Sequence, residues 1–147
     1  MPRGPVISGM VSAIALAAAP LWATDIVPVI DYPAHFTRMS LLASGQLDAV
    51  TGAIYAVDRA LRPNLAMDIV VPALAPWLGV TAATKLFITV TLALWIAGPA
   101  LIHRVVWGRY APETLLAFFF ALNAPYFAGF YNFLFGIGLA FAATALW

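Results

Sequence analysis

The sequence predicts an all-α integral membrane module: about four transmembrane helices and an outward polar loop carrying juxtamembrane amphipathic helices. Three observations lead there. Hydrophobic residues make up 64% of the 147 and charged residues only 9%, against roughly a quarter charged in a soluble domain. Such a chain cannot clothe a water-facing surface, and it fits a bilayer instead. Several apolar runs are long enough to cross one, and most of the ionisable residues gather in a single stretch between positions 24 and 68. A net charge of +1 with no Lys/Arg cluster excludes a polybasic nucleic-acid binder, which needs such clusters to replace counterions along phosphates. The absence of cysteine excludes a disulfide framework and a thiolate metal site.

The first apolar block, residues 6–23, comes after Arg3 and carries no charge over eighteen positions, the minimum for a hydrocarbon core of roughly 30 Å. A cleaved signal peptide is the rival reading. Pro20 after the best small-x-small site and the interfacial aromatic Trp22 favour an uncleaved span. In both readings the polar segment beyond residue 23 is exported.

Residues 24–85 form the outward loop. Its first forty or so hold Asp25, Asp31, His35, Arg38, Asp48, Asp58, Arg59 and Arg62. "HFTRMSLLASG" sets Phe36, Met39 and Leu42 at helical spacing with Gly45 as a stop, which predicts a short amphipathic helix on the membrane surface. "GAIYAVDRALRPN" predicts a brief strand or loop ending at the Arg62-Pro63 step. In "NLAMDIVVPALAPWLGV" the apolarity of a span is interrupted by Asp68, Pro72 and Pro76. Prolines four apart each remove a backbone donor, and a broken helix at membrane depth needs protein or water around it. A juxtamembrane or re-entrant helix is expected here. The second span is then 86–102, with Lys85 snorkelling at its end.

"HRVVWGRYAPE" reads as a short basic turn, and Pro112 with Glu113 open the next helix. The 35 residues from Glu113 to Trp147 are almost all apolar. As one helix they would run on the order of 50 Å, so the chain must turn back within "NAPYFAGFYN", giving spans at 113–127 and 131–147. The apolar run to Trp147 predicts the N-terminal piece of a longer polytopic protein, with the remainder of its own chain as a partner. Basic residues near span ends, Arg3 and then Arg104 and Arg109, place the N-terminus and the 103–112 turn in the cytoplasm and the polar loop outside.

Asp31, His35 and Arg38 stand at i, i+4 and i+7. In a helix starting near Asp31, with Pro33 in its first turn, they share one face. A carboxylate and an imidazole one turn apart could hold a divalent cation such as Mg or Mn. Alternatively Asp31 takes a proton from an attacking hydroxyl while Arg38 neutralises a phosphate. The plainer reading is a helix cap at Asp31, an interfacial His35 and an Arg38 paired with lipid phosphate. Asn64 and Asp68 form a second i, i+4 pair: Asn64 as a cap, Asp68 as a costly acid close to lipid. Asn123, Tyr126, Tyr131 and Asn132 fall on the outward turn, at the membrane face of Asp31. "GIGLA", with no strand before it and no Lys after it, reads as a helix-packing surface rather than a phosphate loop.

The order of span, outward loop with an early acid, span, basic inner turn and tight outward hairpin resembles the N-terminal module of the GT-C superfamily, membrane glycosyltransferases that use polyprenyl-phosphate sugars. The wording "DYPAHFTRM … RPNLAMD … GFYNFLFGIGLA" is also similar to a group of large bacterial membrane proteins. The resemblance implies a transferase at the outer face of the cytoplasmic membrane, with membrane lipids and a lipid-phosphate-linked sugar donor as partners. By position Asp31 matches the family's acid, with Asp25 second, His35 is a further ligand or acceptor contact, Arg38 a phosphate clamp and Asp68 a supporting carboxylate. The family's paired acidic motif is missing, since Asp25 and Asp31 stand six apart. A polytopic transporter or flippase, whose acids and broken helix would line a path, and a non-catalytic membrane assembly subunit are the alternatives.

Overall fold

A computed structural model describes residues 3–45, 47–58, 60 and 63–147. Every regular element among them is helical: α1 (Arg3–Ala23), α2 (Tyr32–Ser44), α3 (Thr51–Ile54), α4 (Ala66–Trp107), a 3₁₀ turn (Pro112–Leu116), α5 (Ala117–Ala121), α6 (Ala124–Ala128) and α7 (Tyr131–Leu146). Two of these, α1 and α4, are long and apolar enough to cross a membrane.

At 1.5 Å per residue α1 is about 30 Å long. Val6, Met10, Ala17 and Leu21, at helical spacing, are buried against the protein. Ile7, Val11 and Leu16 on the other side are 42%, 62% and 64% exposed. A stripe of this length and apolarity is compatible with a membrane-facing surface.

α4 is 42 residues long but is not a straight rod. Met67 N–H donates to Asn132 Oδ1 (2.7 Å) while the ring of Phe87 packs 4.9 Å from that of Phe135. Twenty helical residues would separate Met67 from Phe87 by about 30 Å, yet both meet adjacent turns of α7. The bend is at Gly79 (φ 75°, ψ 156°), a backbone region that only glycine enters without strain. Pro72 and Pro76 lie in the arm before it. The interruption expected between 64 and 80 is therefore present, as a helical arm (66–78) folded back from the long helix (80–107).

Lys85 differs from its expectation. It does not snorkel: it is buried, and its Nζ donates to the carbonyl of Thr24 (2.6 Å), just past the end of α1. An ammonium at a helix C-terminus offsets the negative end of the dipole and satisfies a carbonyl that has no intrahelical donor. Trp22 Nε1–H donates to Thr89 Oγ1 one turn further on (3.1 Å). At the opposite end Val6 and Met10 pack with Ala100 and Tyr110, so α1 and residues 80–107 run antiparallel along their full length.

The segment 113–127, expected as one span, is not one continuous helix. It breaks into the 3₁₀ turn, α5 and α6. Leu122 leaves helical geometry (φ −92°, ψ 67°), and the side chain of Asn123 caps a new turn by accepting from Tyr126 N–H (2.9 Å). That cap competes with helix continuation, which the apolar composition alone does not reveal. Next comes α7, 16 residues and about 24 Å long, packed along α4. A Cβ on Gly98 would sit 2.6 Å from Phe141 Cβ, and one on Gly138 2.6 Å from Leu94 Cβ. Of "GIGLA", Gly138 is the residue that packs closely as expected, while Gly136 has nothing within 4 Å.

α2 begins and ends as expected, with Pro33 in the first turn and Gly45 in the left-handed conformation (φ 65°) after the last. Met39 is fully buried, with Phe36 and Leu42 packed against the same core. The stretch after Gly45 holds a single helical turn, α3, where a brief strand or loop is expected. Arg59 and Arg62 lie outside the described residues.

Candidate functional site

Three contacts bring α2, the first arm of α4 and the turn before α7 together. Ile30 N–H donates to Phe127 carbonyl (3.0 Å), His35 meets the Gly129 carbonyl, and Asn132 caps the first turn of α4 through Met67. Residues 123–132 are thus the hub on which α2 and the arm of α4 are mounted. Asn123, Tyr126, Tyr131 and Asn132 share the end of the molecule that carries Asp31.

Between α2 and the arm lies a cleft of about 1240 Å³. Asp31, His35, Arg38 and Asp68 all line it, so the four candidate residues fall in one place. Leu41, Leu42, Ile69 and Pro72 supply apolar wall, and Thr37, Tyr55, Val57 and a third carboxylate, Asp58, also line the cleft. Asp25 is exposed and does not line the cleft. The volume exceeds the usual 300–1,000 Å³ of small-molecule sites.

Asp31 occupies the N-cap position of α2 but makes no side-chain cap bond. Its carboxylate is exposed at the cleft, where it can accept a proton or a hydrogen bond from a ligand. Asn64 is not a cap either. Leu65 holds that position, and Asn64 is the one non-glycine residue with positive φ (66°) among those described. The capping acceptor comes instead from Asn132, 65 residues away.

His35 is fixed by both ring nitrogens. Nε2 lies 2.8 Å from the Gly129 carbonyl, which can only accept, so Nε2 carries the proton. Nδ1 of that tautomer then accepts from Arg38 Nη2 at 3.4 Å. The ring also packs 5.7 Å from Tyr131. Arg38 Nε approaches Asp68 Oδ1 to 2.8 Å, the only ion pair among the described residues. The approach is oblique and leaves that oxygen without a well-aligned hydrogen bond. The side chain of Asp68 is 13% exposed and that of Arg38 48%. Nε faces Asp68 and Nη2 faces His35, which leaves Nη1 as the guanidinium nitrogen without a protein partner among the described residues. Burial pushes the Tyr32 phenol, next to Asp31 in the chain, above its ordinary value.

Asp31 and His35, the pair expected to hold a cation, both line the cleft, with His35 held by protein partners. Nε2 faces the Gly129 carbonyl and Nδ1 faces Arg38, and no third His, Cys, Asp or Glu joins them in a cluster among the described residues. Two features missed by sequence reasoning matter more. Gly129 supplies the carbonyl that orients His35, in a left-handed conformation (φ 91°), and a Cβ there would meet Asp31 Cβ at 2.8 Å. Leu47 and Tyr55 to Val57 form the outer wall. The "AGFYN" turn is the one sequence signal for the first, and an irregular loop gives none for the second.

Comparison with protein-family models, with curated proteins and with solved structures finds no match to this chain.

Proposed function

We propose that this chain is the membrane-embedded module of a glycosyltransferase-like protein, taking a sugar from a polyprenyl-phosphate donor at the outer face of the cytoplasmic membrane. The N-terminus and the 103–112 turn would be cytoplasmic. One observation carries the reading: Asp31, His35, Arg38 and Asp68 line a single cleft whose remaining wall is largely apolar. A lipid-linked phosphate needs both kinds of surface together, a donor for its oxygens and an apolar path for its chain.

In this reading the acceptor hydroxyl loses its proton to the Asp31 carboxylate as its oxygen bonds to the anomeric carbon. The bond from that carbon to the phosphate oxygen breaks, and the electron pair leaves with the phosphate. Arg38 Nη1 donates to the developing charge, as guanidinium does for phosphate generally. Asp68 and His35 act through Arg38 as positioning residues, holding two of its nitrogens so that the third faces the cleft.

The test is sugar transfer from synthetic polyprenyl-phosphate sugars by the purified full-length protein. Asp31→Asn should lower the rate by roughly 10²–10⁴, the usual contribution of a general base, while Asp25→Asn leaves it unchanged. Full activity of Asp31→Asn would remove the mechanism. The break at Gly79 favours a second reading, a flippase, in which the donor would cross the bilayer with its sugar still attached.

A further inference from the structure

The opposite end of the molecule carries a second groove. α4 and α7 are in close contact at Gly98–Phe141 and Gly138–Leu94, and beyond that contact a groove of about 370 Å³ opens, lined by Leu101, Arg104, Val105, Ala142, Ala145 and Leu146. Five of these six side chains are apolar. Arg104 is the only polar one.

Arg104 is held in place without being neutralised. Its Nη1 donates to the Tyr110 hydroxyl (3.0 Å), and its guanidinium lies 5.2 Å from the centre of the same ring. Among the described residues no carboxylate forms an ion pair with it. Trp107, 63% exposed, stands one turn further along α4 with its ring 4.5 Å from that of His103. Aromatic side chains of this kind settle at the level of lipid headgroups. The arrangement sets one positive group beside an apolar interhelical groove, with an exposed aromatic ring one turn away.

We infer that this groove binds an anionic phospholipid, its acyl chain along Leu101, Val105, Ala142 and Ala145 and its phosphate on Arg104. Charge complementarity selects this occupant over a zwitterionic lipid. The inference rests on the membrane part of the reading above and is independent of sugar transfer. Tyr110 is a positioning residue that keeps the guanidinium at the groove.

The experiment reconstitutes the full-length protein and measures the association of spin-labelled phosphatidylglycerol relative to spin-labelled phosphatidylcholine. The wild type should prefer phosphatidylglycerol, and Arg104→Gln should cut that preference by about five-fold, the effect of one guanidinium at an anionic surface. Ala142→Phe, which fills the groove and leaves the charge, should cut it as well. Arg109→Gln, on the same turn but outside the groove, should change it little. An unchanged preference in Arg104→Gln and Ala142→Phe, or an equal loss in Arg109→Gln, overturns the site. Failure of the wild type to float with phosphatidylcholine vesicles overturns the membrane reading, and the site with it.

Discussion

His35 and Gly129, 94 residues apart, meet through a 2.8 Å hydrogen bond from Nε2 to a backbone carbonyl. That bond sets the tautomer of the imidazole and ties α2 to the turn before α7. It also defines which atoms of the cleft are free. Nδ1 is turned to Arg38, Arg38 to Asp68, and the exposed carboxylate of Asp31 is left to face a ligand.

Gly129 should not tolerate a side chain. Its φ of 91° disfavours any L-residue, and the new methyl would collide with Asp31 Cβ. Gly129→Ala is expected to destabilise the fold by about 1–3 kcal/mol, read as a loss of denaturant resistance in detergent. Gly136→Ala, where nothing lies within 4 Å of the added carbon, is the control and should not destabilise.

The Arg38–Asp68 pair should show measurable coupling. One partner is nearly buried and the other half exposed, so solvent screens part of the attraction. A double-mutant cycle with Arg38→Gln and Asp68→Asn is expected to give about 1 kcal/mol. Asp68→Asn alone should also weaken donor binding, since the guanidinium loses its support. Tighter donor binding in that variant would mean that Asp68 competes with the ligand instead of orienting Arg38.

Asp48, outside the two long apolar helices, supplies a pH test. Thr51 holds its carboxyl below the ordinary value, first through the backbone N–H (2.7 Å) and then through the hydroxyl (2.9 Å); Val50 N–H adds a further bond. A carboxyl with a depressed folded pKa contributes stability above its unfolded pKa and loses it as pH falls through the folded one. Amide protection at Val50 and Thr51 should therefore hold from neutral pH down to about 4 and fall in stronger acid. Asp48→Ala should lose it at every pH.

Much of this fold is legible in the sequence where a single physical signal dominates. α1 is expected from an uninterrupted apolar run, and α2 from Pro33, the Phe36, Met39 and Leu42 spacing and Gly45. A break before the long helix is expected from Pro72 and Pro76, but the arm stays helical through both and the chain breaks at Gly79 instead. What composition hides is competition between neighbours. A span over 113–127 is the natural reading of its apolarity, but the Asn123 side chain captures Tyr126 N–H and starts a new turn. Lys85 reads as a snorkelling residue because the carbonyl that receives it belongs to Thr24, 61 positions earlier. Local spacing already groups Asp31, His35 and Arg38. Asp68 joins them only through the fold at Gly79, and the same fold takes the capping role from Asn64 and gives it to Asn132.

The most direct test of the central claim, that this cleft receives a lipid-borne phosphate, is photo-crosslinking with a polyprenyl-phosphate carrying a photoactivatable group in its chain. Label should concentrate on the peptides containing Leu41, Leu42, Ile69 and Pro72, and Arg38→Gln should suppress it. Label spread over the exposed side of α1 at Ile7, Val11 and Leu16, unaffected by Arg38→Gln, would contradict the account.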